Sequence, residues 1–421
     1  MLDMRRALLA VTTAVSCVSG PSTDIEIDLG HICKKIELAV RDPALLPGWD
    51  VHALAVERSA GERAWALATD GEGRLQLVAS PDGATHDFSE IGTSEDLMLL
   101  PGAIEGETWV MLDRASEAQV WRLRDDDDAA LVASPRLVDF PTTGTWTRRL
   151  VFIDNAAYIL SVPSAGDAST IEVLLSRLDD ALTPEPALNL PLWQSCPAGP
   201  TENNLECQPA LLSGSIELEL LGTTEGGSAG GAAAMLGMYA SKLAEPPMMS
   251  AVYTTLVVNV ELRSLGPDQP PTMIRRDLPF WNTTGAMVVS PAYIATDHDA
   301  LYWLAGLMPL NDDTAPPDAD FVFRAAHDND GGQAQLMATA KKNLNSHLLQ
   351  IGGGVALGQI QGQRWTIAPL DAREVKDDIT GALNLDPGAT VSLAGRGEFL
   401  VRSDGGSRRV AAVCAPGGEK T

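Results

Sequence analysis

Five cysteines in 421 residues are too few for a disulfide-dense scaffold, and no two stand at the C-x-x-C spacing of a structural zinc site. Positive charge is scarce as well: 30 Lys and Arg face 56 Asp and Glu, for a formal net charge of −26. So acidic a chain argues against nucleic acid as a partner and against electrostatic binding to anionic lipid. The six histidines (His31, His52, His86, His298, His327 and His347) show no ligand spacing. Gly-x-Ser-x-Gly, P-loop and dinucleotide fingerprints are missing, and Gly226–Gly231 lacks the Gly-Lys-Ser/Thr ending of a phosphate cradle. No uncharged apolar run approaches the roughly 20 residues of a membrane-spanning helix. No long amphipathic helical pattern with caps occurs either.

What is present begins with the leader. Met1–Arg6 carries Arg5 and Arg6, residues 7–15 are mostly apolar, and small residues follow, which is the layout of a secretory signal. Ala14-Val15-Ser16-Cys17 resembles the lipobox of bacterial lipoproteins, which places a Leu three residues before the cysteine and then small residues; this chain departs from it at Ala14 and Val15. The resemblance implies a signal over residues 1–17, lipid on Cys17 and a flexible tether over residues 18–32. Val18 and Ser19 lack the Asp that marks inner-membrane retention in enterobacterial lipoproteins. The expected location is therefore the outer membrane or cell surface. Plain leader cleavage between Ser16 and Gly20 is the alternative.

Cys33, Cys196, Cys207 and Cys414 then remain, an even number in an exported chain. Three pairings are open. Cys196 and Cys207 flank a loop rich in Pro, Gly and Asn, so a local bridge there is the simplest, which leaves Cys33 for Cys414. Free buried thiols are the alternative.

Hydrophobic residues make up 45% of the chain, enough for a large core. Short alternating apolar runs separated by Gly, Asp, Asn and Pro predict an all-β fold. A strand carrying an aromatic recurs at Trp65, Trp109, Tyr158, Trp303, Trp365 and Phe399, the first two intervals being 44 and 49 residues. Short runs ending in Pro141, Pro191 and Pro279 close units, as suits an edge strand. The units fall at about 50–93, 94–141, 142–191, 192–279, 280–340, 341–385 and 386–414, with an insertion at about 194–250 and a tail at 415–421.

The last unit is short by one strand, and Cys33–Val40 supplies an unassigned one with lysines suited to an edge. The pattern resembles a β-propeller of seven blades over residues 33–414, closed by pairing the N-terminal strand with the C-terminal blade. Six or eight blades, or two stacked β-sandwiches, are the alternatives.

Ser80–His86 and Ser403–Ser407 resemble the Asp-box hairpins of sialidase-type propellers, with one residue fewer between Asp and Gly; they read as Asp-Gly turns. Among the acidic loops, Asp328 and Asp330 are the metal candidates, for calcium. They lack the EF-hand spacing, and no cofactor is expected. The doublets Arg148-Arg149 and Arg275-Arg276 lie on predicted strands, which puts one arginine of each inward and one outward. The strand aromatics read as core. Trp193 and Trp281 follow a proline at unit ends, which places them toward one face as binding candidates. The expected function is a non-catalytic, envelope-anchored binding or scaffold module with a membrane tether and a protein or glycan partner. The alternative is a glycan hydrolase or lyase working from a central funnel.

Overall fold

The strand Glu107–Arg114 reads ETWVMLDR, and its first six residues are all buried. Successive strand side chains point to opposite faces, so this sheet is covered on both sides. Val110 and Leu112 pack with Trp65, Leu67, Leu77 and Phe88 of the preceding sheet. Trp109 and Met111 pack with Leu150, Phe152 and Ile159 of the following one. A sheet with protein on both faces belongs to a succession of layers, which a two-layer sandwich does not provide.

This computed structural model describes residues 36–57, 63–102, 104, 106–114, 117–124, 131–133, 146–153, 156–163, 165–166, 170–194, 216–223, 234–242, 252–256, 259–263, 271–276, 286–289, 294–296, 300–309, 319–326, 335–341, 345–351, 354–370, 381–395 and 397–414. Among them the chain is all-β. Seven antiparallel sheets and one two-stranded hairpin are formed. The first sheet joins Asp50–Val56, Ala64–Thr69, Leu75–Ser80 and Thr85–Asp87, and the second joins Leu97–Pro101, Glu107–Arg114, Glu117–Arg124 and Leu131–Ala133. The third joins Trp146–Ile153, Ala156–Pro163, Thr170–Arg177 and Leu188–Gln194. The fourth joins Ala165–Gly166, Ile216–Thr223, Ala234–Lys242 and Val252–Leu256, and the separate hairpin is Asn259–Arg263 with Thr272–Arg276. The fifth holds Ala286–Val289, Ile294–Thr296, Ala300–Pro309, Ala319–Ala326 and Gln335–Lys341; the sixth holds Asn345–Ile351, Gly354–Gln361, Arg364–Leu370 and Gly381–Asn384. The seventh is Thr390–Gly395, Glu398–Ser403, Gly406–Cys414 and, on its outer side, Ile36–Leu45.

Apolar clusters also fill the spaces between three further pairs of sheets. Tyr302, Leu304 and Val322 of the fifth meet Leu348, Val355 and Leu357 of the sixth. Trp365 and Ile367 of the sixth meet Ile36, Phe399 and Val410 of the seventh. Leu45, Ala394 and Leu400 of the seventh meet Val51, Leu54 and Ala66 of the first. Edge-to-face rings reinforce three of these junctions, with centroids 5.3 Å apart for Phe88–Trp121, 5.8 Å for Trp109–Phe152 and 4.5 Å for Trp365–Phe399. The recurring Trp65, Trp109, Trp303, Trp365 and Phe399 are all core residues, whereas Tyr158 is half-buried.

The N-terminal strand pairs antiparallel with Gly406–Cys414, from Ile36 opposite Cys414 to Leu45 opposite Ser407. Register shifts between Val40 and Asp42 and between Asp42 and Leu45 break its regularity, and Pro43 removes a donor there. Both devices blunt an outer edge. The partner of Cys414 in this register is Ile36, where a 33–414 bridge would set Cys33. Cys33 itself lies outside the described residues.

Two expectations need correction. Pro191 does not end its strand, which runs on to Gln194: Glu172 pairs with Pro191 and Ile171 with Trp193, leaving Leu192 as a bulge. A bulge relieves the proline of its missing N–H, and the strand continues past it. Trp365 does not occupy the same strand rank as the other aromatics; it stands on the third strand of its sheet, where Trp65, Trp109, Tyr158, Trp303 and Phe399 stand on the second. Within the stretch 194–250, Ile216–Thr223 and Ala234–Lys242 are neighbouring strands of the fourth sheet. The Asp-Gly stretches are turns, as expected. Gly83, at φ 76°, donates to the Ala79 carbonyl at 2.9 Å, and Ser403 pairs with Gly406 across Asp404-Gly405.

Candidate binding cleft between the second and third sheets

In the second sheet, antiparallel pairing of Glu107–Arg114 with Glu117–Arg124 sets Glu107 opposite Arg124 and Trp109 opposite Arg122. Cross-strand neighbours this close interact directly. Arg124 Nε donates to Glu107 Oε1 at 2.7 Å, and Trp109 Nε1 donates to Glu107 Oε2 at 3.2 Å. Glu107 is only 3% exposed, so its carboxyl group is satisfied from within the sheet. The Arg122 guanidinium carbon lies 5.6 Å from the centre of the Trp109 ring, a cation–π distance. Gly102 passes directly over this corner, where a Cβ would stand 2.5 Å from Glu107 Cβ and 3.0 Å from Trp109 Nε1.

The third sheet supplies the other wall. Its turn after Arg177 is held by Thr183 N donating to Asp179 Oδ1 at 2.7 Å and Leu182 N donating to Asp179 O at 3.0 Å. Leu182 adopts φ 60°, which an L-residue rarely takes, while its side chain is fully buried among Trp109, Met111 and Phe152. Core packing therefore fixes a strained turn. That turn presents the Asp180 carbonyl, which accepts from Arg122 Nη2 at 2.8 Å. Between the walls is a cleft of about 180 Å³ with buried Trp109 and Arg122 at its base and Ile104, Arg124, Arg177 and Asp180 around its mouth. Ile104 is 43% exposed. Arg177 is exposed and makes no side-chain hydrogen bond or ion pair among the described residues.

The corner has a counterpart one sheet earlier. Trp65 Nε1 donates to Glu57 Oε1 at 2.6 Å, Arg63 lies 4.9 Å over the Trp65 ring, and Arg63 Nη2 meets Asp82 Oδ2 at 2.9 Å. Here the second carboxyl oxygen, Glu57 Oε2, is buried with no partner among the described residues. Burial pushes the Glu57 carboxyl above its ordinary value; the Trp65 hydrogen bond and Arg63 pull it back in part, and Asp82 adds to the rise. An acid with a raised folded pKa binds its proton more tightly when folded. Its contribution is therefore full below the unfolded pKa and is lost as pH rises through the folded value. Glu57→Gln should melt above the wild type at pH 7.5, and the gap should close toward pH 4. Thermal scans across that range check it; a less stable variant at pH 7.5 would mean Glu57 serves as the counter-ion of Arg63.

At the far end of Glu107–Arg114, about 20 Å away, lies a second charged group. Arg148 Nη1 donates to Asp113 Oδ1 at 3.1 Å and to the Arg114 carbonyl at 3.0 Å, and Arg148 N donates to Asp113 Oδ2 at 3.1 Å. The Arg148 side chain is 5% exposed and that of Arg149 39%, the alternation expected of the doublet. Arg148 is a strut between the second and third sheets and is not offered to a substrate.

Trp193 stands within the outer strand Leu188–Gln194, paired with Ile171, so it is not in a connecting loop. Cys414 ends its strand. Cys17, Cys33, Cys196, Cys207, Trp281, Asp328 and Asp330 lie outside the described residues. Among the described residues no group of three His, Cys, Asp or Glu could hold a metal, and no helix is long and apolar enough to cross a membrane. The cleft was not foreseen. Its signal was Glu107-x-Trp109 mirrored by Arg122-x-Arg124 about one hairpin turn.

No protein-family model matches the chain, and no curated protein matches it. Solved structures similar to it include the β-propeller domain of Nup133 from Vanderwaltozyma polyspora, at 11% identity over 90% of this chain and 98% of that one, TM-score 0.37. The β-propeller domain of the Trilobed protease from Pyrococcus furiosus is similar at 7% identity, over 85% and 92%, TM-score 0.42. A prolyl endopeptidase is similar at 10% identity and TM-score 0.42; the match takes in 86% of this chain, which spans only 50% of that one. These are likenesses of architecture, and no ligand or activity is carried over from them.

Proposed function

We propose that the chain is a non-catalytic binding or scaffold module, a seven-bladed propeller closed by its N-terminal strand and tethered through lipid on Cys17 at the outer membrane or cell surface. The observation that carries this reading is the state of the converging charges. Both oxygens of Glu107, and the Arg148–Asp113 pair, are engaged in links within and between sheets. Groups tied up in this way stiffen a surface and are not themselves poised as the acid and base that hydrolysis of a glycan would need. A rigid corner flanked by an exposed Ile and an exposed Arg suits recognition.

Photo-cross-linking in intact cells from position 104 should give a discrete adduct that position 72, on the Asp70–Arg74 turn, does not give. Saturable turnover of envelope glycan that is lost in Glu107→Gln, a variant still folded, would make the chain an enzyme and end this reading. For the tether, Cys17→Ala should move the protein from the detergent phase to the aqueous phase on Triton X-114 partitioning. Equal retention of both forms would remove the lipid anchor.

A further inference from the structure

We propose that the cleft between the second and third sheets takes a peptide carboxy terminus bearing an apolar last side chain, with Arg177 binding the carboxylate. This rests on the reading of the chain as a binding module and names the ligand class.

Charge comes first. In a chain of net charge −26, carboxylates pair several of the exposed arginines: Arg74 bonds Asp70 and Glu72, and Arg114 reaches Asp96. Arg177 lines a cleft and has no such partner among the described residues. Its planar fork matches a carboxylate through two parallel hydrogen bonds. Arg122 adds a fixed positive charge at the base, 7% exposed and held by Trp109 and the Asp180 carbonyl. Because the protein as a whole repels anions, this attraction acts only at short range and falls with salt.

Size and polarity choose among carboxylates. A volume of about 180 Å³ equals roughly six waters at 30 Å³ each, room for one terminal residue and too small for an oligosaccharide. Ile104, Ala156, Ala157 and Leu178 give that residue an apolar side to lie against. A sugar acid would want an open aromatic face. Among the described residues the only ring here, Trp109, is 3% exposed and covered by Arg122.

Isothermal titration of the full chain decides the matter, using acetyl-Gly-Ala-Val with a free carboxylate, the same peptide as its C-terminal amide, and glucuronate. The free acid should bind at least about tenfold more tightly than the amide, and Arg177→Gln should bring acid and amide to equal, weak binding. Arg149→Gln, a half-exposed arginine at the other end of the sheet, should leave the difference intact. Equal binding of acid and amide by the wild type, no binding of either, tighter binding of glucuronate, or an unchanged preference in Arg177→Gln would each overturn the proposal. The broader reading is scored separately: an adduct from position 104 that persists in Arg177→Gln keeps the binding module and removes only the carboxylate.

Discussion

Ile36→Asp should cost at least about 4 kcal/mol and leave much of the chain unfolded at 37 °C. Ile36 is 1% exposed and packs with Leu349, Trp365, Phe399 and Val410, so removing its side chain to Ala would alone cost about 2–5 kcal/mol. A carboxylate placed there adds an unpaired buried charge. The same residue opens the pairing with Cys414, so the loss spreads along the strand Ile36–Leu45 and loosens its contact with the first sheet through Leu45. Val40→Thr on that strand, at a 42% exposed position, should change stability by no more than about 0.5 kcal/mol. Gly381→Ala offers an independent push, since its Cβ would meet the Ile36 carbonyl oxygen at 2.9 Å. Thermal melts followed by circular dichroism test all three. A wild-type melt for Ile36→Asp would show that the terminal strand is a passenger, and the proposed ring closure would fall with it.

Arg148→Ala should cost about 3–5 kcal/mol, because it strands Asp113, whose side chain is only 16% exposed, beside a buried sheet junction. Arg149→Ala should cost little: its nitrogen is 3.8 Å from Asp113 and the side chain is 39% exposed. The informative variant is the double one. Arg148→Met with Asp113→Leu replaces a buried pair by apolar groups, and such replacements are often neutral. Most of the single variant's loss should therefore return, as read from chemical denaturation midpoints. If the double variant is as weak as Arg148→Ala, the bonds from Arg148 to the Arg114 carbonyl, and not its charge, hold the junction.

Much of the strand content was legible because alternation and Asp-Gly turns are local. The terminal pairing was legible for a different reason: the last unit had three apolar runs and the N-terminus had a spare one. Sequence could not set its register, in which Ile36 stands opposite Cys414. Trp365 misled because an aromatic on a strand says that the strand is buried and is silent on its rank in the sheet. Pro191 misled because a bulge, invisible in composition, absorbed the missing donor. The Glu107–Arg124 corner could have been found by reflecting the chain about residues 115–116. The Asp180 carbonyl that captures Arg122 could not, since 58 residues separate them and the carbonyl belongs to every residue alike.

The seventh sheet joins the first strand of the described chain to the last, and that has a consequence for the order of events in a cell. Ile36 is made some 370 residues before Gly406. At 5–20 residues per second, the N-terminal strand waits roughly 20–70 s for its partner. Throughout that interval its inner edge is unpaired, and the apolar side chain of Ile36 waits for Leu349, Trp365, Phe399 and Val410 to be made. Contacts so distant along the chain also make folding slow. A chain with this topology gains nothing by folding early from its N-terminus. It suits a route on which folding begins only once both ends of the chain are available.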